Sequence, residues 1–345
     1  MNERNIVVIG ASAGGVEALS GLVSHLPAEL TAALFIVLHV PRGAPSALPR
    51  ILSRAGRLPA RHARHDERVE AGRLYVAPPD HHLLVHDARV HLSTGPQENG
   101  HRPAVDPLFR TAARAYGSRV VGVVLSGVLD DGTAGLAIVK RHGGVAVAQD
   151  PEEAHYPGMP VHAATGVAID HVLPVAEIAA LLGRMALEEA PLVDGVHRAV
   201  EDDPAEMSPE VGANFPPNGR PSAYACPECN GVLWEVDEGG LARFRCRVGH
   251  AWSADSLLFE QAERLEEALW TALRSLEERG ALARRLAERA AGSGHTTAQA
   301  HFAGQARDCA ERAEIIRRTI MAGRPEPAAA EPAGPMVDEP REGAA

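Results

Sequence analysis

Aromatic side chains are scarce, with Phe, Trp and Tyr together making up 4% of the 345 residues. The interior therefore has to be filled mostly by Ala, Val, Leu and Ile. Cysteine is scarcer and unevenly placed. All four (Cys226, Cys229, Cys246 and Cys309) lie in the second half, and the first 225 residues have none. A disulfide framework would not leave the larger part of a chain without a thiol, so that class is excluded. No apolar run approaches the ~20 residues that a membrane-spanning helix needs. The N-terminus, MNERNIVVIG, has no signal-peptide core and no small-residue cleavage site. A cytoplasmic protein without direct membrane insertion is expected. Concentrated positive charge is also missing. Residues 1–190 carry 19 acids and 17 bases, and residues 191–345 carry 26 and 17. An acidic second half does not suit the phosphates of a nucleic acid. The remaining composition, 45% hydrophobic and 23% charged, is that of an ordinary globular chain long enough for two domains.

The first half alternates short apolar runs with amphipathic stretches. Strands are expected at Ile6–Ile9, Ala33–Leu38, Leu74–Ala77, Val120–Leu125, Val145–Ala148 and around Val167–Val172. Helices are expected at Val16–Leu26, Asp106–Tyr116, Thr133–His142 and Val175–Leu187. His82–Val85 and Arg89–Leu92 read as a hairpin insert. Continuous apolar strands separated by helices imply a parallel sheet covered on both faces, hence a doubly wound α/β domain over residues 1–190. Residues 191–222 hold six prolines and little periodicity, which reads as a linker. A small module with the clustered cysteines follows at 223–253. Apolar residues at three- and four-residue intervals predict helices over 256–290 and 296–321, a helical hairpin within 254–322. The Ala-, Pro- and Glu-rich tail 323–345 is expected to be disordered.

Chemistry-bearing residues stand where these strands end. The first runs into Gly10-Ala11-Ser12-Ala13-Gly14-Gly15 and then a helix. A serine at such a turn projects past the carboxyl end of the sheet beside helix N-terminal N–H groups, which suit an oxyanion. The letters fit the nucleophile-elbow pattern G-x-S-x-G but not G-x-G-x-x-G. A phosphate-cradling loop or a plain tight turn would use similar residues. His39 follows the second strand, where it could serve as a base or as a surface or cap histidine. Asp130 and Asp131 follow the strand Val120–Leu125, where an acid could orient an imidazole or cap the next helix. Three such residues at equivalent topological positions reinforce one another. Their chain order, Ser…His…Asp, fits neither the α/β-hydrolases nor the chymotrypsin and subtilisin orders.

Six blocks carry a resemblance: VVIGASAGGVEAL (7–19), LHVP (38–41), VAPPDHHL (76–83), RPAVDPLFRTAA (102–113), GVVLSGVLDDGTAGL (122–136) and AQDPEEAHYPGMPVHAATGVAIDHVLP (148–174). In this order and spacing, over about residues 4–185, the chain resembles the catalytic domain of the CheB-type protein-glutamate methylesterases of chemotaxis. The resemblance implies Ser12 as nucleophile, His39 as general base and Asp131 as the orienting acid, with no catalytic cofactor. It also implies the reaction: hydrolysis of glutamyl methyl esters on methylated chemoreceptors, and in some members deamidation of glutamine. The family usually has Thr or Ser where this chain has Ala13, Gln and Met where it has Leu38 and Val40, and Met where it has Val128. These changes of shape around an unchanged triad bear on substrate preference more than on chemistry. Most chemotaxis members carry a phospho-receiver domain ahead of the catalytic one. Here the resemblance begins at about residue 4, so regulation is expected to come from elsewhere. A catalytically silent signalling adaptor, or an esterase for another substrate, is the alternative.

In the second half, Cys226, Cys229, Cys246 and His250 give C-x2-C-x16-C-x3-H. A C-x2-C knuckle delivers two ligands from one turn, and four protein ligands close a tetrahedral site, so a structural Zn2+ is expected. Strand-like Val232–Val236 and Leu241–Cys246, with Trp234, Phe244 and Trp252 as a small core, give a zinc-ribbon layout. Arg243, Arg245 and Arg247 are the only local basic run, and the acidic surroundings favour protein contact over nucleic acid. The helices read as a dimerisation element or a docking surface for a sensor or methyltransferase partner. Cys309 reads as a packed thiol.

Overall fold

The computed structural model describes residues 4–41, 43, 45–191 and 219–322. Its central feature is a seven-stranded parallel sheet built from β1 (Ile6–Ala11), β2 (Ala33–Leu38), β3 (Ala60–His62), β4 (Leu74–Val76), β7 (Val120–Val124), β8 (Val145–Gln149) and β9 (His171–Leu173), in the order β3-β4-β2-β1-β7-β8-β9. Every residue of β1 and β2 is buried, as expected of strands covered on both faces. Alternation sends Val7, Ile9 and Ala11 into one core, with α1 (Gly15–His25), α2 (Leu48–Ala55) and α6 (Val175–Met185). Ile6 and Val8 enter the other, with α3 (Val105–Tyr116), α4 (Thr133–Arg141), α5 (Gly158–Gly166) and the antiparallel hairpin of β5 (His82–His86) and β6 (Arg89–Ser93). Phe109 of α3 is fully buried in this layer, and truncating such a side chain to Ala costs roughly 3–5 kcal/mol.

Three elements lack a sequence signal. In α2 only Leu48 and Leu52, one turn apart, are buried, too few to show periodicity. Strand β3 is three half-buried residues. Helix α5 is rich in Gly, Ala and Pro, and it is held by burial of Met159, Pro160 and Ala163 rather than by an amphipathic face. Its presence moves the last strand to His171–Leu173, beyond Val167 and Ile169, which pack against the core from outside the sheet.

The described chain resumes with a four-stranded antiparallel sheet of β10 (Gly219–Ala225), β11 (Val232–Glu238), β12 (Leu241–Cys246) and β13 (Ala251–Ser253). Strand β10 thus begins within the stretch read as linker. The rest of that stretch, 192–218, and the tail from 323 lie outside the described residues. Phe244 and Trp252 are core residues as expected, but Trp234 is only half-buried. Strand alternation turns Leu233 inward instead, and Leu257 completes the cluster. Ser253 caps α7 (Ala254–Gly292), its hydroxyl accepting from the Ser256 N–H at 3.0 Å.

The chain divides into two compact units, Met1–Glu260 and Gln261–Ala345. Both sheets belong to the first. The second holds the body of α7 and α8 (Thr296–Ala322), paired through Leu273, Ala313 and Ile320, with Cys309 buried between small residues. Among the described residues no helix is long and apolar enough to cross a membrane.

Candidate functional site

The chain reverses its direction of winding at β1, which lies between β2 and β7. In an open parallel sheet, a crevice opens beyond the carboxyl ends of the strands at such a switch point. The register brings three strand ends to one level: Ala11 pairs with Leu38, and Gly10 with Val37 and Val124. Backbone bonds continue the alignment into the loops, with Ser12 N–H donating to Ser126 O at 2.9 Å and His39 N–H to Ala11 O at 3.2 Å. Ser12 and His39 are each the first residue past their strand.

Ser12, His39 and Asp131 come together. Ser12 Oγ lies 3.1 Å from His39 Nδ1, and His39 Nε2 lies 2.7 Å from Asp131 Oδ2. The imidazole is therefore turned the opposite way from that of a serine protease, whose Nε2 faces the serine. With the proton on Nε2 donated to the carboxylate, the Nδ1 lone pair accepts the serine hydroxyl. The His39 and Asp131 side chains are 6% and 3% exposed, so their hydrogen bond is shielded from water. Burial alone would raise the carboxyl of Asp131. The His39 hydrogen bond and charge, and the Val105 N–H at 2.7 Å, hold it well below the usual carboxylate range. Gly132 follows in the left-handed region at φ 94°, where an added Cβ would also press on Val105, and this lets α4 start immediately after Asp131.

Asp130 points elsewhere. Its Oδ1 accepts from the hydroxyls of Ser253 and Ser256 at 2.7 and 2.8 Å. Of the two acids left open by the strand-end argument, the one against the imidazole is Asp131.

Two residues beside this line escaped sequence reasoning. Asn99 donates through Nδ2 to Asp131 Oδ1 at 3.0 Å. His101 stacks on His39, with ring centroids 3.7 Å apart. Both lie immediately before the block RPAVDPLFRTAA, and Asn99-Gly100 reads in sequence only as a turn. Ser126 ties the first loop down, its hydroxyl donating to Ala13 O at 2.8 Å.

The second cluster is also assembled. One ligand atom each from Cys226, Cys229, Cys246 and His250 lies within 4.8 Å of the others. The separations are 3.6 Å from Cys229 Sγ to Cys246 Sγ, and 3.7 and 3.5 Å from His250 Nδ1 to the sulfurs of Cys226 and Cys246. Two tight turns present them, one closed by Asn230 N–H to Cys226 O and the other by Gly249 N–H to Cys246 O. Three soft sulfur donors and one imidazole converging from buried or half-buried positions fit a metal ion. Two of the three nearby arginines, Arg243 and Arg245, are buried against carboxylates, and only Arg247 is exposed.

The family model for CheB methylesterase matches residues 7–182 of the 345. The chain belongs to the CheB methylesterase family. A "Protein-glutamate methylesterase/protein-glutamine glutaminase 2" of Methanosarcina mazei is 38% identical over 184 residues, which cover 51% of this chain and 50% of that protein. A protein of the same name from Anaeromyxobacter dehalogenans is 41% identical over 173 residues, 50% of this chain and 51% of its own. The chain thus spans about half the length of these relatives. The crystal structure of the Thermotoga maritima CheB methylesterase catalytic domain is similar with a TM-score of 0.50 at 35% identity, covering 52% of this chain and 97% of that one. The metal cluster lies outside the stretch that the family model matches.

Proposed function

We propose that residues 1–190 form a catalytic domain that hydrolyses glutamyl methyl esters on methylated chemoreceptors or related signalling proteins in the cytoplasm, with Ser12 as nucleophile, His39 as general base and Asp131 as the acid that orients it. The observation that carries this reading is the hydrogen-bonded line Ser12–His39–Asp131 at three neighbouring strand ends of a CheB methylesterase domain. His39 Nδ1 takes the Ser12 proton as Oγ attacks the ester carbonyl, and the imidazolium that forms is stabilised by Asp131. Backbone N–H groups at the start of α1, which begins three residues after Ser12, suit the oxyanion. The collapsing intermediate expels methanol with the proton from His39. Water, deprotonated by the same nitrogen, then releases glutamate from Ser12. A side-chain amide would react by the same steps with ammonia leaving, consistent with the glutaminase half of the relatives' names.

The four ligands of the ribbon match a tetrahedral structural zinc: all four positions are filled by protein, so the ion would supply folding energy rather than a bound hydroxide. The helical hairpin is the proposed contact to a sensor or methyltransferase partner.

Methanol release from methylated receptor fragments tests the reading, with wild type compared against Ser12→Ala and a truncation ending near residue 190. Turnover that vanishes in Ser12→Ala supports the esterase. A folded, metal-loaded wild type that releases no methanol turns the reading toward a silent adaptor.

A further inference from the structure

The ribbon reaches the back of the candidate triad. The loop of residues 97–101 carries both Asn99, which binds Asp131, and His101, which stacks on His39. Strand β13 pairs with this loop through its backbone: Asn99 N–H donates to Ala251 O at 2.7 Å, and Ala251 N–H donates to Gln97 O at 3.2 Å. Arg243, on the neighbouring β12, is 2% exposed and enters the space between loop and helix. Its Nη1 lies 3.2 Å from Asn99 Oδ1 and 3.1 Å from Asp106 Oδ2, and its Nη2 is 3.4 Å from Glu98 Oε2.

Every hydrogen-bonding position of the Asn99 amide is filled. Nδ2 donates to two carboxylates, Asp131 at 3.0 Å and Asp106 at 3.2 Å. Oδ1 accepts from Arg243 and from the Ser253 N–H, the latter at 2.9 Å. Both donors that fix the oxygen end belong to the ribbon, and both acceptors that fix the nitrogen end belong to the α/β domain. An amide held between two donors and two carboxylates has one orientation. With the ribbon's donors gone, the oxygen end loses both of its partners and the amide is held only through Nδ2. Asp106 is bound to the same frame. Its Oδ1 accepts from Gly132 N–H at 3.1 Å and Gly135 N–H at 2.7 Å, on either side of the turn that starts α4 beside Asp131.

We propose that Arg243 is a positioning residue for the Ser12–His39–Asp131 reaction, acting through Asn99 and Asp106, so that the docked ribbon completes the support of Asp131. The proposal rests on the esterase reading. It assigns the ribbon a place in catalysis that its own ligands do not require. The ribbon is closed through Cys246 and His250, which bracket the turn between β12 and β13, so opening it would withdraw Arg243, Ala251 and Ser253 together.

The test uses the full metal-loaded chain. Arg243→Met removes the guanidinium at similar volume, and Arg243→Lys keeps the charge on one shorter-reaching nitrogen that cannot serve Asn99, Asp106 and Glu98 together as the two guanidinium nitrogens do. Arg245→Lys is the matched control. Its contacts are with Glu98 at 3.6 Å, Glu238 at 3.8 Å and the Gly249 carbonyl at 3.3 Å. Two quantities are read: kcat and KM for methyl-ester hydrolysis, and the rate at which a fluorophosphonate labels Ser12, which needs no receptor. For Arg243→Met, kcat and the labelling rate should fall about 10- to 100-fold, the cost of misplacing a reacting group, while KM stays within about twofold. Arg243→Lys should lie between, and Arg245→Lys near wild type, all with full metal content. Should Arg243→Met fail to fold, Arg243→Lys and wild type stripped of metal decide. Stripping should slow labelling, speed amide exchange at residues 97–101, and reverse on metal return. Folded Arg243 variants that label at the wild-type rate overturn the proposal, as does an Arg245→Lys loss equal to that of Arg243→Lys, or a stripped protein that labels unchanged. A wild type inert to the probe removes the esterase reading itself, and the positioning role with it.

Discussion

His101 lies nearly flat against His39, the ring planes 17° apart and the centroids 3.7 Å apart. Two touching imidazoles cannot both be protonated cheaply, even beside a carboxylate. Burial and the His39 ring push His101 down to about 3, with Asp131 pulling the other way. A proton taken up by His39 in the proposed reaction would thus meet a neutral neighbour.

The same stack predicts acid sensitivity. Below about pH 6.5 an unfolded chain protonates this histidine while the folded one does not. The unfolded state then binds more protons, so stability falls as pH drops from about 6.5 toward 3, by up to about 1.4 kcal/mol per pH unit. His82, lowered by its own burial, adds in the same direction. In His101→Phe, which keeps an aromatic ring against His39, the loss of denaturation midpoint between pH 7 and 4 should be shallower. Identical slopes in the two proteins would refute the assignment.

The paired acids Asp130 and Asp131 should behave differently. Asp131→Asn puts an amide where Val105 N–H, Asn99 and the imidazole all donate. It should cost about 10³- to 10⁴-fold in kcat, as in other triads where the acid is replaced by its amide. Asp130→Asn keeps an oxygen that accepts from Ser253 and Ser256, and it should retain most of the activity. Steady-state rates on a methyl-ester substrate decide, and equal losses would contradict the geometry.

Gly127 is a third position with a definite expectation. A Cβ there would collide with Met159 Sδ and stand 2.9 Å from Ser12 Cβ. Gly127→Ala should therefore displace Ser12 or α5. Overpacking of this kind costs about 1–3 kcal/mol of stability, together with a marked loss of Ser12 labelling. A variant with wild-type melting and labelling would show that the loop yields freely.

Metal removal should act locally first. The ribbon core is a handful of side chains around Cys226 and Cys246, too small to persist without its ion. Excess chelator should collapse the amide dispersion of residues 219–253 and shift Trp252 emission to the red, while the parallel sheet remains folded. Dispersion that survives chelation would rule this out.

Much of this architecture is legible in the sequence because its signals are local. A six-residue apolar run such as Ala33–Leu38, too short for a helix of ordinary length, reads as a covered strand, and the residue after it lands at the sheet's carboxyl edge. Cysteine spacing likewise reveals the metal cluster. What stays hidden is long-range pairing. Arg243 and Arg245 read as a basic run, yet strand alternation turns both inward onto Glu98, whose carboxyl their charges and that of Arg110 hold far below its ordinary range against the effect of burial. Nothing at position 98 announces a buried acid. Helix α5 is hidden for another reason: its small residues are helical only because the sheet below accepts Met159 and Ala163.

The direction of synthesis gives the ribbon's contact a temporal meaning. Arg243 is translated 145 residues after Glu98. By the time β9 leaves the ribosome, all three residues of the Ser12–His39–Asp131 line exist, as do both members of the Glu98–Arg110 pair, 2.8 Å apart in the complete chain. Asp106 and the oxygen of Asn99 still await their guanidinium. A nascent chain, or a fragment cut before the ribbon, therefore holds Ser12, His39 and Asp131 in an unfinished frame. The ribbon, made after the α/β domain, sets the final clamp, so translation through Ser253 and metal loading become preconditions for a tightly held His39–Asp131 pair.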